Sequence, residues 1–124
     1  MTEGARVYLA NPPGDLVLEA IAALPDGIAF LRRPGVDMDV VVIFATRAAD
    51  LLRRFPALVR SIAPAGRLWV AWPKKVARVP TDLDFDAVQG LGLAAGLVDN
   101  KSASITPVFQ GLQFVRPKAD RPSR

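Results

Sequence analysis

The chain holds 124 residues, 51% of them hydrophobic, with no cysteine and no histidine. That length fits one domain with a real core. The two absences exclude disulfides, thiol nucleophiles, Ser-His-Asp triads, histidine acid–base catalysis and the usual zinc sites.

A formal charge of +4 favours an anionic partner. The basic residues are scattered, however, and make no dense run of the kind a dedicated nucleic-acid binder carries, so a nucleic-acid partner is not expected. No apolar run approaches the ~20 residues that span a bilayer, so no membrane partner is expected. The N-terminus lacks a basic region followed by an apolar core, so no signal peptide is expected either. A cytoplasmic location is the expectation, and the lack of cysteine is compatible with it.

Arg6–Ala10 reads as a short strand running into Asn11-Pro12-Pro13-Gly14, a turn by composition. Asp15 is positioned to cap a helix over Asp15–Leu24, with Leu16, Glu19, Ala20 and Ala23 at helical spacing. Pro25-Asp26-Gly27 ends it. Ile28–Leu31 reads as a second strand, closed by Arg32-Arg33-Pro34-Gly35.

Asp39–Ala45 carries the strongest strand signal. Its β-branched residues and lack of alternation predict burial on both faces. Thr46 is the candidate N-cap of the helix that follows, which has Leu51, Phe55, Leu58 and Ile62 on one stripe. Asp50 and Arg54 are spaced to pair, and Pro56 is expected to kink or divide the helix.

Pro64-Ala65-Gly66 reads as a turn. Leu68 to Trp72 is then apolar without interruption, as in a strand covered on both faces. Pro73 closes that strand, because it has no N–H for the ladder. Lys74 and Lys75 follow at its carboxyl end, where open α/β sheets place their ligands. Trp69 and Trp72 fall three apart, so they should face opposite sides of the sheet.

After a loop over Val76–Pro80, Thr81 or Asp82 is expected to cap a further helix, with Asp84 and Asp86 in its first turn and Gly92 at its C-terminal cap. The alternation of Asp82, Asp84 and Asp86 suits a helix start better than a calcium loop. The loop's sixth and twelfth positions hold Ala87 and Leu93, where glycine and glutamate are needed. No metal site is expected. Leu97–Ile105 and Gly111–Arg116 read as the last two strands. Residues 1–116 are expected to form one domain and 117–124 a frayed tail.

Alternating strands and helices specify a mostly parallel α/β sheet with helices on both faces. This order, with its final hairpin, resembles the class I methyltransferase Rossmann-like fold. In that comparison Asp39–Ala45 is similar to the fourth strand and Gly66–Trp72 to the fifth. The third strand and its helix are missing, and the resemblance implies an antiparallel last strand. More narrowly, Trp69-Val70-Ala71-Trp72-Pro73-Lys74-Lys75, Thr81-Asp82 and Gly96-Leu97-Val98-Asp99-Asn100-Lys101 resemble a family of small bacterial proteins of unknown function with that fold.

The resemblance implies an S-adenosylmethionine site, and the sequence departs from it. A glycine-rich loop belongs after the first strand, where Asn11-Pro12-Pro13-Gly14 stands. An acid belongs after the second, where Arg32 and Arg33 stand. Proline removes a donor and adds a ring where the backbone must approach a cofactor closely. The same defects count against a dinucleotide site, so no cofactor is expected.

Three functions compete at this point. The first is a non-enzymatic Rossmann-like module, either a degenerate methyltransferase or a regulatory partner of another protein. The second is a binder or enzyme for a small anionic ligand at the carboxyl ends of the central strands, bordered by Asn11, Thr46, Trp72, Lys74, Lys75 and Asn100. The third is weak nucleic-acid binding through scattered arginines. No residue is assigned a catalytic role.

Overall fold

The computed structural model describes residues 6–10, 29–31 and 38–117. In chain order the elements are β1 (Arg6–Ala10), β2 (Ala29–Leu31), β3 (Met38–Phe44), α1 (Ala48–Ser61), β4 (Ile62–Pro73), a 3₁₀ turn (Lys75–Ala77), α2 (Phe85–Ala94), β5 (Val98–Ser104) and β6 (Phe109–Val115). The six strands form one sheet in the order β2-β1-β3-β4-β6-β5. The first four are parallel. β6 lies antiparallel to β4, and β5 antiparallel to β6. Only residues 32–37 separate β2 from β3, too few for a further strand–helix unit.

β3 and β4 take the two central positions because both of their faces are apolar. Val41 and Ile43 of β3, with Leu68, Val70 and Trp72 of β4 and Leu112 and Phe114 of β6, join one buried cluster. Leu51, Phe55 and Leu58 of α1 and Val88 of α2 pack into the same cluster. Both described helices therefore cover one face of the sheet. The alternate residues Phe44, Ala71 and Phe109 form a second cluster on the other face. There the Phe44 and Phe109 rings meet edge to face, with centroids 5.4 Å apart. The helix expected over Asp15–Leu24 lies outside the described residues.

Several local expectations are corrected. α1 runs unbroken through Pro56, which is exposed. The carbonyl that Pro56 leaves without its helical donor belongs to Leu52, itself on the solvent side, where water can bond it. Asp50 pairs with Arg53 at 3.2 Å, whereas Arg54 donates to the Tyr8 hydroxyl at 2.9 Å.

The Pro64–Gly66 segment is an irregularity within β4. Met38 pairs with Ile62 and Val40 with Arg67, so four residues of β4 lie opposite Asp39 alone. Gly66 is required there, because a Cβ would come within 2.6 Å of the Met38 carbonyl.

Gly92 is no helix cap. It sits inside α2, where its bare backbone lies against the Phe114 ring. The cap is built one turn later. Gly96 takes φ 85 and donates to the Leu93 carbonyl, and Leu97 donates to Gly92, both at 3.0 Å. This is the paired six-to-one and five-to-two closure of a Schellman motif. At the other end of the sheet, Arg116 donates to the carbonyls of Val59 and Ile62 and so closes the end of α1.

Candidate functional site

The carboxyl end of β4 is tied down on several sides. Pro73 is the last residue in register with β6, opposite Phe109. The Lys74 backbone N–H donates to Val108 at 2.8 Å. Its ammonium donates to the Ser104 hydroxyl at the end of β5, and Ser104 donates onward to the Thr106 carbonyl. Thr106 in turn accepts from the N–H groups of Val108 and Phe109 and fixes the hairpin. Lys74 is thus half-buried and clasped to the edge strand, whereas Lys75 is exposed on the following 3₁₀ turn.

That turn ends at Arg78, which adopts the left-handed conformation at φ 54. A non-glycine residue there carries a conformational cost of about 1 kcal/mol. The chain then doubles back towards β3. The Thr81 hydroxyl donates to the Thr46 carbonyl at 2.6 Å. The Asp82 carboxylate accepts from the Ala48 N–H at 2.7 Å.

These contacts correct two expectations. Thr46 makes no side-chain cap to α1, whose N-cap position is Arg47; its carbonyl accepts from Thr81 and Asp82. Asp82, 34 residues along the chain, satisfies that helix end instead. The cap of α2 is Asp84, which accepts from Ala87 at 2.8 Å. Sequence spacing could not reveal the Asp82 contact, because a cap supplied from another loop has no local signature.

Between the doubled-back loop and the first turn of α2 lies a cavity of about 490 Å³. Trp72, 2% exposed, forms part of its wall. Lys74 and Lys75 line it, together with Asp84, Phe85 and Asp86. A second groove of about 360 Å³ shares Trp72, Lys74, Phe85 and Gln110 and continues over Ser102 and Ser104. No ion pair joins the two lysines to the two aspartates among the described residues. No cluster of metal-ligating side chains occurs among them either.

Of the six candidate site residues, Trp72, Lys74 and Lys75 line the cavity. Thr46 lies beside it, with its carbonyl bound by Thr81. Asn11 falls outside the described residues, as do Arg32 and Arg33. Asn100 is misplaced. Asp99 is level with Phe114, which is level with Leu68 in the middle of β4, five residues short of Pro73. The residue of β5 at the correct end is Ser104, level with Gln110 and Trp72. β5 runs parallel to β4 because two antiparallel steps separate them, so its last residues reach the site.

No protein-family profile matches the chain. Solved structures share its fold. An S-adenosylmethionine-dependent methyltransferase from Mesorhizobium loti superposes with a TM-score of 0.59 at 11% identity, covering 92% of each chain. The 1,6-didemethyltoxoflavin-N1-methyltransferase of Burkholderia thailandensis gives 0.58 at 12% identity, covering 94% of this chain and 72% of that one. A SAM-dependent methyltransferase from Aquifex aeolicus gives 0.54 at 14%, covering 91% and 82%. The fold is therefore methyltransferase-like.

Among curated proteins, the conserved oligomeric Golgi complex subunit 6 of Phaeosphaeria nodorum is 34% identical over 90 residues. That match covers 73% of this chain and only 13% of that protein's length.

Two of these neighbours are S-adenosylmethionine-dependent. In an open α/β sheet the cofactor's anionic group meets the turn after the first strand, and residues 11–28 after β1 lie outside the described residues. α1 follows β3 instead, and its first N–H, on Ala48, is bonded by the Asp82 carboxylate. With prolines at 12 and 13 and arginines at 32 and 33, these residues do not match the cofactor pattern.

Proposed function

We propose that this chain is a non-enzymatic, methyltransferase-like module that acts by binding and does not use S-adenosylmethionine. The observation that carries this reading is proline at 12 and 13 in the turn after β1, where close backbone approach to a cofactor needs glycine. At α1, the helix after β3, the Asp82 carboxylate holds the first N–H. A negative charge fixed there occupies the position where the helix end would attract an anionic group. Its neighbour Thr81 occupies the adjoining carbonyl of Thr46. Arg32 and Arg33, standing where an acid would hold the cofactor, support the same reading from composition. The match of 90 residues to a small part of a much longer protein is compatible with a module that serves inside or beside larger assemblies. We keep kinship with the small bacterial family marked by the Trp69–Lys75 heptapeptide, and a cytoplasmic location, as part of this proposal.

Native mass spectrometry of the freshly purified chain tests it. The expected mass is that of the bare polypeptide. A stoichiometric adduct of S-adenosylmethionine or S-adenosylhomocysteine contradicts it.

A second reading is small-ligand binding at the corner where β4 ends. The cavity beside Lys74 and Lys75 favours it. Its volume lies in the usual range for small-molecule sites, roughly 300–1,000 Å³.

A further inference from the structure

We infer that the cavity between the end of β4 and the first turn of α2 takes a small dipolar ligand. Such a ligand carries an anionic and a cationic group on an apolar body, as a free α-amino acid does. This inference rests on the second reading above and specifies its ligand.

Two lysines alone would point to a plain anion. The opposite wall changes that, because Asp84 and Asp86 line the same cavity. A ligand of one charge sign meets attraction on one side and repulsion on the other. A ligand bearing both signs is attracted at each end.

The protein's own charges do not satisfy one another across the gap. Lys74 turns its ammonium to Ser104, whereas Lys75, among the described residues lining the cavity, has no such partner. Lys75 and Asp86 make no hydrogen bond or ion pair within the described residues. Asp84 commits one oxygen to Ala87. Lys75 is held on a short turn between Pro73 and Arg78, and the aspartates are held on a helix start.

Apolar side chains also line the cavity. Trp72 is buried on one side, while Phe85 remains 43% exposed and Val76 84% exposed at the rim. An apolar ligand body would cover the last two, which nothing in the described structure covers.

The test is a titration of the isotopically labelled full chain, followed by NMR, with three probes of matched shape. L-phenylalanine carries both charges, 3-phenylpropionate only the anion and 2-phenylethylamine only the cation. L-phenylalanine should saturate, with shifts confined to residues 72–86 and Gln110. Each single-charge probe should bind at least about tenfold more weakly.

Lys75→Met should weaken L-phenylalanine about tenfold and leave 2-phenylethylamine unchanged. Asp86→Asn should weaken L-phenylalanine similarly and leave 3-phenylpropionate unchanged. Both side chains are exposed, so Lys75→Met should melt at the wild-type temperature and Asp86→Asn within a few degrees of it, having lost only its interaction with the helix dipole. If 3-phenylpropionate binds as tightly as L-phenylalanine, the dipolar ligand is wrong and an anion-binding corner stands. If no probe saturates, or the shifts fall elsewhere, both the ligand and the corner site are overturned.

Discussion

At the residue scale, α2 holds two glycines two positions apart with opposite expected responses to a methyl group. At Gly92 a Cβ would stand 2.0 Å from the Phe114 ring. Phe114 is fully buried and cannot retreat, so Gly92→Ala should cost about 1–3 kcal/mol through overpacking. At Gly90 a Cβ would meet nothing within 4 Å. Gly90→Ala should stabilise by up to about 1 kcal/mol, the difference in helix propensity. Urea denaturation reads both, as midpoint shifts at unchanged slope. Equal effects at the two positions would contradict the packing of α2 on β6. Asp82→Ala should cost about 1 kcal/mol by freeing the Ala48 N–H, and Asp82→Asn much less, since asparagine caps equally well. Neither role was legible in the sequence. A glycine pressed on an aromatic ring looks like any helix-ending glycine, and a cap from a distant loop looks like a capping residue for its own helix.

At the element scale, α1 tests how a helix tolerates an interior proline. Pro56 and Leu52 both face solvent, so the free Leu52 carbonyl meets water and the helix continues. The helix is not divided because the bond that Pro56 removes lies on its solvent side, where water replaces it. Pro56→Ala restores a donor at that place. It should stabilise by at least about 1 kcal/mol, part of the ~3 kcal/mol proline penalty being offset by the freer unfolded chain. The thermal midpoint is the measurement, and an unchanged or lowered value would count against an exposed, unbroken α1. The other elements were more legible. The apolar stripe Leu51, Phe55, Leu58 and Ile62 is buried throughout, although Ile62 belongs to β4. Uninterrupted apolar residues in Asp39–Ala45 marked β3, because a strand covered on both faces has no polar side to show. β5 was placed correctly as a strand, but its register was not legible. Its residues are exposed at all but one position, so no buried side fixed which end met the site, and Asn100 stood in for Ser104.

At the scale of the whole molecule, the sheet order follows from which strands are apolar on both faces. β3 lies between β1 and β4, and β4 between β3 and β6. Ile43 is 1% exposed in the larger core cluster. Ile43→Asp would bury an unpaired charge, at a cost comparable to the full stability of a small domain. That variant should show no cooperative unfolding transition, and a soluble, cooperatively melting Ile43→Asp protein would refute the central placement of β3. The fold was legible because patterning along the chain and right-handed connection rules leave few sheets to choose from. The candidate site was legible only at Trp72, Lys74 and Lys75, which share one short run of sequence. Phe85, Asp84 and Asp86 reach the same cavity from another element, and only the doubled-back loop at Arg78 brings them there. The central claim is that the methyltransferase-like fold here works without its usual cofactor. Calorimetric titration of the full chain with S-adenosylmethionine tests it most directly. The account predicts no saturable heat at ligand concentrations up to the millimolar range. One-to-one binding with a dissociation constant in the low micromolar range would contradict it.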